Sequence, residues 1–240
     1  MKAIILAAGI GRRLAAAGWD MPKCLLPFGD TTLIDNMLKS LTDNGIKEAA
    51  IVVGYKKESV KKAASAHPLK LTFFENPDYE NTNTINSLWR AAEFADDDIV
   101  YFNADILFDR RIVGLLAKQR DSALAVDRKL CGQEEVKVIL DDNDRVLRIG
   151  KAFNPADCAG EFTGIAVFRK GIWPDFKDAL RYFNEDTGER NLFFEAAVDR
   201  ICDKHVIRAV DVSRYTVIEI DTPEDLLAAT KKAQFLDKRL

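Results

Sequence analysis

Histidine is scarce in this chain: His67 and His205 are the only two, and neither sits in a motif. Cysteine is sparse as well. Cys24, Cys131, Cys158 and Cys202 are scattered, with no C-x-x-C pair. Together these absences argue against a zinc site and leave free thiols in a reducing compartment as the plain reading. There is no excess of positive charge. With 35 Lys and Arg against 38 Asp and Glu, the formal net charge is −3, so no global field argues for nucleic acid or an anionic membrane. Long hydrophobic runs are missing too. The N-terminal apolar stretch meets Arg12 and Arg13 well short of the roughly 20 residues that span a bilayer. Its charges follow the apolar part, the reverse of a signal peptide. These features lead to the expectation of a cytoplasmic protein with no membrane insertion. Pro/Ser linkers, internal repeats and low-complexity tracts are absent, so one domain over 1–240 is expected. Both common nucleotide fingerprints are missing: there is no GxxxxGK[ST], and Gly9-x-Gly11 has no third glycine.

What is present is ordinary globular material, 48% hydrophobic and 30% charged over 240 residues. The first half alternates predicted strands (2–7, 49–53, 69–74, 98–103) with predicted helices (32–44, 56–66, 83–95). That rhythm marks an α/β fold with a parallel sheet covered on both faces. Ile34, Met37, Leu38 and Leu41 fall at i, i+3, i+4 and i+7, and Thr31 or Thr32 can cap that helix. The second half breaks the rhythm with short strands at 124–126, 136–140, 146–149 and 164–168. Helices over 172–183 and 192–204 and strands at 207–212 and 217–220 follow. Thr222-Pro-Glu-Asp225 reads as the capped start of a last helix that runs to near 237. A smaller antiparallel section from about 123 to 170 is expected to overlay one side of the sheet.

The chemistry-bearing stretch is Met1 to Gly29. A strand runs into Gly9-Ile-Gly-Arg-Arg-Leu14, and Met21-Pro-Lys-Cys-Leu-Leu-Pro-Phe-Gly29 follows. Glycine lets backbone N–H groups turn toward phosphate oxygens. Arg13 offers a planar fork of donors, and Lys23 a compact charge that Pro22 helps to place. Ligands of open parallel sheets bind beyond the carboxyl ends of the strands. Asp105, after the fourth strand, and Glu219 and Asp221, two apart on a late strand, belong to that edge if the strand assignments hold. Three carboxylates facing a polyphosphate call for a cation between them, and hard oxygen ligands suit Mg²⁺, with Mn²⁺ as an alternative. Taken singly, Asp105 and Asp221 also fit as a turn residue and a helix-flanking acid.

The pattern Leu-Ala-Ala-Gly-x-Gly-x-Arg-Leu followed by Pro-Lys-x-Leu-x-Pro resembles the signature of the nucleotidyltransferases that activate sugar phosphates and small phosphorylated alcohols. Asn76-Pro-Asp-Tyr-Glu-Asn-Thr-Asn83, Asn86-Ser-Leu-Trp89, Phe102-Asn-Ala-Asp-Ile-Leu-Phe108 and Gly160-Glu-Phe-Thr-Gly164 look like the branch acting on phosphocholine, aminoethylphosphonate and similar amines. The resemblance implies a three-layer α/β/α Rossmann-like nucleotide-diphospho-sugar transferase fold with a mainly parallel mixed sheet. It implies CTP and a small phosphorylated acceptor as partners, with the chain a monomer or homodimer. Carried over by position, Leu6, Ala7, Ala8 and Gly9 frame base and ribose together with Asn83 and Ser87, and Asn76 lies near the base. Gly11, Arg12, Arg13 and Lys23 hold phosphates, Lys23 and Arg13 being the catalytic pair. Asp105, Glu219 and Asp221 hold the metal, Asp105 on the nucleotide side. Lys151 takes the acceptor phosphate, although Gly150-Lys151-Ala152 stands where the family has Glu-Lys-Pro. Arg12 stands where many relatives have a small hydroxyl residue.

On the acceptor side, Asn191-Leu-Phe-Phe-Glu195 sets two aromatics against a carboxylate. Glu161-Phe162 and Trp173 are further members of a cation site for an amine or quaternary ammonium. Glu161, Phe193 and Glu195 are the candidate acceptor contacts. The competing reading is that Phe193, Phe194 and Trp173 pack the core. Competing functions are a sugar 1-phosphate uridylyl- or thymidylyltransferase of the same fold, a nucleotide-sugar glycosyltransferase and a silent nucleotide-binding module.

Overall fold

The structure is a computed structural model that describes residues 1–236. It opens on Lys2–Ala7 (β1), a strand whose side chains alternate between two cores. Ala3, Ile5 and Ala7 join one hydrophobic cluster, while Ile4, Leu6 and Ala8 join another on the opposite face. A strand buried on both sides belongs at the centre of a sheet. The short helix Arg12–Ala16 (α1) and a hairpin of Pro27–Phe28 (β2) and Thr31–Thr32 (β3) follow. Thr32 caps Leu33–Asp43 (α2): its hydroxyl accepts from the Asp35 N–H at 3.3 Å, and the Asp35 carboxylate accepts from the Thr32 N–H at 3.0 Å. The stripe of Ile34, Met37, Leu38 and Leu41 is fully buried, each side chain contributing roughly 1.5–3 kcal/mol.

Glu48–Val53 (β4), Lys57–Ala64 (α3), Lys70–Glu75 (β5), Thr84–Arg90 (α4) and Ile99–Asn103 (β6) continue the alternation. The helix predicted to reach 95 stops at Arg90 and tightens into a separate turn at Ala92–Phe94. β5, β4, β1 and β6 lie side by side and parallel, with Ile5 opposite both Ile51 and Phe102.

The second half contains Ile106–Phe108 (β7), Arg111–Ala117 (α5), Ser122–Asp127 (β8), Lys137–Leu140 (β9), Val146–Gly150 (β10) and Gly160–Phe168 (β11). Trp173–Arg181 (α6), Glu195–Ile201 (α7), Ile207–Asp211 (β12), Val217–Glu219 (β13) and Pro223–Leu236 (α8) complete it. Position 237, where the last helix was expected to end, lies outside the described residues. The section expected to overlay the sheet instead extends it. β11 runs antiparallel to β6, with Ala166 opposite Tyr101, carries β8 along its other edge, and pairs with β9 at its Gly160–Glu161 end. The physical reason is that Ile165 to Phe168 are apolar on both faces, as an interior strand must be. Among the described residues no helix is long and apolar enough to cross a membrane.

Candidate active site

The loop between β1 and α1 crosses directly over Lys23. Gly11 has φ 68°, in the left-handed region, and a Cβ there would stand 2.8 Å from Lys23 Cγ. Both its backbone conformation and the closeness of the lysine stem therefore require glycine. Pro22 and a three-residue turn, Lys23–Leu25, aim the lysine inward. Its Nζ donates to Asp105 Oδ2 at 3.1 Å and to Asp221 Oδ1 in a short contact. Burial alone would lower the lysine's pKa, but the two carboxylates outweigh it and hold it raised. Arg13 Nη2 lies 3.1 Å from the other oxygen of Asp221, and its side chain is 67% exposed, free to turn toward solvent. Asp221 is lowered: burial opposes ionisation, while Lys23, then Arg13 and Lys151, favour it.

A strand pair invisible in the sequence brings the acids together. β7 and β13 form a separate antiparallel ladder with Glu219 opposite Ile106. The Ile220 N–H donates to the Asp105 carbonyl at 2.8 Å. Asp105 therefore enters β7 just where Glu219 and Asp221 leave β13. At the other side the Asp225 carboxylate accepts from the backbone N–H of Asp221 at 3.1 Å and of Thr222 at 2.8 Å, so the α8 cap also fixes Asp221. Carboxylate oxygens of Asp105, Glu219 and Asp221 all lie within 4.8 Å of one another. Desolvation, with the like charges of Asp105 and Asp221, pushes Glu219 up to about 8. Glu219 is exposed as a residue, and for that reason we give the like charges the greater weight. A pocket with three hard oxygen donors and more negative charge than Lys23 neutralises fits a divalent cation.

Two further cavities flank this edge. One of about 500 Å³ is lined by Gly11, Arg12, Tyr79, Glu80, Asn83 and Asn191. The other, of about 510 Å³, is lined by Lys151, Phe153, Phe183, Leu192, Phe193 and Glu195, among others. Lys151 Nζ sits 4.4 Å from the centre of the Phe193 ring. Glu195 is 3% exposed, its Oε2 has no hydrogen-bond partner, and burial pushes its carboxyl up to about 7.

A family model described as the MobA-like NTP transferase domain matches residues 3–198. The chain belongs to this family. A CMP-5'-(3-aminopropyl)phosphonate synthase of Streptomyces rubellomurinus is 28% identical over 237 residues, covering 94% of this chain and 37% of that protein. The chain thus spans little more than a third of that relative's length. A 2-aminoethylphosphonate cytidylyltransferase of Lancefieldella rimae is 26% identical over 232 residues, covering 95% of this chain and 91% of its own. Among solved structures, the CTP:phosphocholine cytidylyltransferase from Streptococcus pneumoniae superposes with a TM-score of 0.81 over 97% of this chain and 98% of that one. At 20% identity that likeness establishes the fold, the Rossmann-like arrangement of the nucleotidyltransferases.

Within this NTP transferase the predicted residues divide into those that gather and those that do not. Leu6, Ala7, Gly9, Gly11, Lys23 and Asp105 line one small cavity at the end of β1. Ala8 is buried beside it. Arg12 turns away from the acids and donates to the Glu80 carbonyl at 2.9 Å, because the loop 79–83 offers it a closer acceptor. Asn76 and Ser87 are buried and bonded to each other at 3.1 Å, and Asn76 also donates to Thr82. These bonds brace the 76–82 loop. Asn83 caps α4, its Oδ1 accepting from the Thr84 N–H at 2.8 Å, at the rim of the larger polar cavity. Glu161 is paired with Lys129 at 2.7 Å and does not line the cavity that holds Lys151 and Phe193. Phe162, Phe194 and Trp173 pack in the core, where Phe194 stacks 4.2 Å from Tyr101. Only Phe193, Lys151 and Glu195 of the acceptor set meet in one place.

Sequence reasoning missed Lys137. Its side chain is fully buried and its ammonium donates to three backbone carbonyls: Lys151 at 2.7 Å, Gln133 at 3.0 Å and Glu135 at 3.2 Å. It clamps the segment that presents Lys151. Lys137→Met should destabilise the fold by about 1–3 kcal/mol in urea unfolding, the cost of leaving such carbonyls unpaired. A variant as stable as wild type would show that the clamp contributes nothing.

Proposed function

We propose that this chain is a cytidylyltransferase that joins CTP to a phosphorylated small amino-alcohol, or to the matching phosphonate, and releases pyrophosphate. The observation that carries the reading is Lys23 held between Asp105 and Asp221 under the glycine loop, with Lys151 near enough to act on Asp221 from the acceptor-side cavity. The choice of cytosine rests on the activities of the relatives. An acceptor oxygen attacks the α-phosphorus in line and pyrophosphate leaves. That oxygen is anionic at neutral pH, so the reaction needs no general base. Both histidines are engaged elsewhere, His67 with Asp35 at 2.8 Å and His205 with Asp175 at 2.9 Å.

Catalysis here is positioning and charge neutralisation. Lys23 leaves its carboxylate partners for the α-phosphate, and exposed Arg13 swings to the leaving pyrophosphate. Lys151 holds the acceptor phosphate. Asp105, Glu219 and Asp221 would hold Mg²⁺ or Mn²⁺, which supplies Lewis-acid neutralisation of phosphate charge when bound. The test is pyrophosphate release from each of four NTPs with phosphocholine, phosphoethanolamine, aminoethylphosphonate, glucose 1-phosphate and an inositol phosphate. CTP with an amine-bearing acceptor should lead by about tenfold or more in kcat/KM. A lead for UTP or dTTP with glucose 1-phosphate would move the chain to the sugar-nucleotide reading.

A further inference from the structure

The acceptor-side cavity is poorly built for a quaternary ammonium, although its composition first suggests one. Such a cation is held by open aromatic faces. Here the chain's own cations cover two of the three: Lys151 Nζ lies over Phe193 at 4.4 Å and the Arg148 guanidinium over Phe153 at 4.8 Å, while Phe183 packs edge-on with Tyr182. Phe194, the other aromatic of the stretch, is in the core. What the cavity does offer is the buried Glu195 carboxyl, whose Oε2 has no partner. A buried acceptor without a donor is costly, and a ligand that brings an N–H removes the cost. Trimethylated nitrogen has no N–H to give, and its methyl groups hold its charge away from the oxygen.

We propose that Glu195, the one unengaged acid among the described residues of this wall, sets the acceptor's chemical class: its carboxyl takes a primary ammonium and discriminates against a fully methylated nitrogen. Lys151 supplies the other end of the ruler. It lines the same cavity as Glu195, with its ammonium over the Phe193 ring, and its charge is felt at Asp221 of the carboxylate cluster. A short chain with phosphate at one end and ammonium at the other matches Lys151 followed by Glu195. The other charged side chains of the wall are engaged: Asp199 with Arg148 at 3.0 Å, and Arg200 over the Tyr182 ring at 3.9 Å.

The inference rests on reading this cavity as the acceptor site, and its test does not depend on turnover. Calorimetry measures binding of phosphoethanolamine, phosphocholine and propyl phosphate to the full chain, with and without a non-hydrolysable CTP analogue. Phosphoethanolamine should bind about tenfold or more tighter than the other two, the range expected of one charge-assisted hydrogen bond. Glu195→Leu should shrink that preference to under about threefold and leave propyl phosphate affinity as it was. Glu195→Gln, which keeps the shape and an acceptor oxygen but not the charge, should fall between. Tighter binding of phosphocholine, equal binding of all three, no binding of any, or an undiminished preference in both variants each overturns the proposal. If no NTP yields pyrophosphate while the amine preference holds, the cytidylyltransferase reading fails and the Glu195 assignment stands.

Discussion

Lys23→Ala is expected to lower turnover by about a hundredfold or more, the scale seen when one preorganised charge-stabilising donor is lost. The ammonium is in contact with both the Asp105 and the Asp221 carboxylate. Its stem lies under Gly11, so it can reach a phosphate cradled by that loop without any backbone movement. Removing it withdraws the charge meant for the α-phosphate and leaves two half-buried carboxylates facing each other. The fold should survive, since the Lys23 side chain lies outside both hydrophobic clusters. Pyrophosphate release alongside circular dichroism melting separates the two effects. Near-wild-type turnover in a folded variant would remove Lys23 from the mechanism.

Asp105→Asn and Asp221→Asn should each cost a comparable factor, about a hundredfold or more, since a neutral amide is a poor ligand for a hard dication. Asp221→Asn should be the more severe. Asp221 holds Lys23 and Arg13 at once, whereas Asp105 holds Lys23 alone. Glu219→Gln should lower turnover too, since it removes one of the three carboxylates that would hold the cation. Activity should vanish in excess chelator and return with Mg²⁺ or Mn²⁺. Full activity with chelator present would overturn the metal reading, whatever the acid variants do.

The parallel half of the fold was legible because its signals are local. β1 alternates between two cores and α2 shows both its stripe and its cap in consecutive residues. The glycine loop and Lys23 were legible as a pattern of residue types. Their convergence with the acids was not, since it depends on β7, three residues too short to carry a periodic signal. From the Asn191–Glu195 stretch Phe193 and Glu195 do meet in one cavity, while Phe194 packs in the core. Phe193 and Phe194 are chemically identical neighbours, and only tertiary packing decides which ring enters the core. Lys137 was hidden for a different reason. A lysine in a short strand reads as solvent-facing, and nothing nearby announces three carbonyls waiting for it. Arg12 and Arg13 pose the same problem, and only the 79–83 loop separates their roles.

The clasp between β7 and β13 sets the order in which a growing chain acquires its chemistry. Lys23 and Asp221 are 198 positions apart, and the family match ends at 198, before either late acid has been made. A nascent chain can pair β1, β4, β5 and β6 and shape its phosphate loop long before its last carboxylates emerge. Closing contacts of such separation is the slow part of folding. The edge that gathers the acids is thus completed last, and a ribosome that stalls before β13 has made one acid of the three.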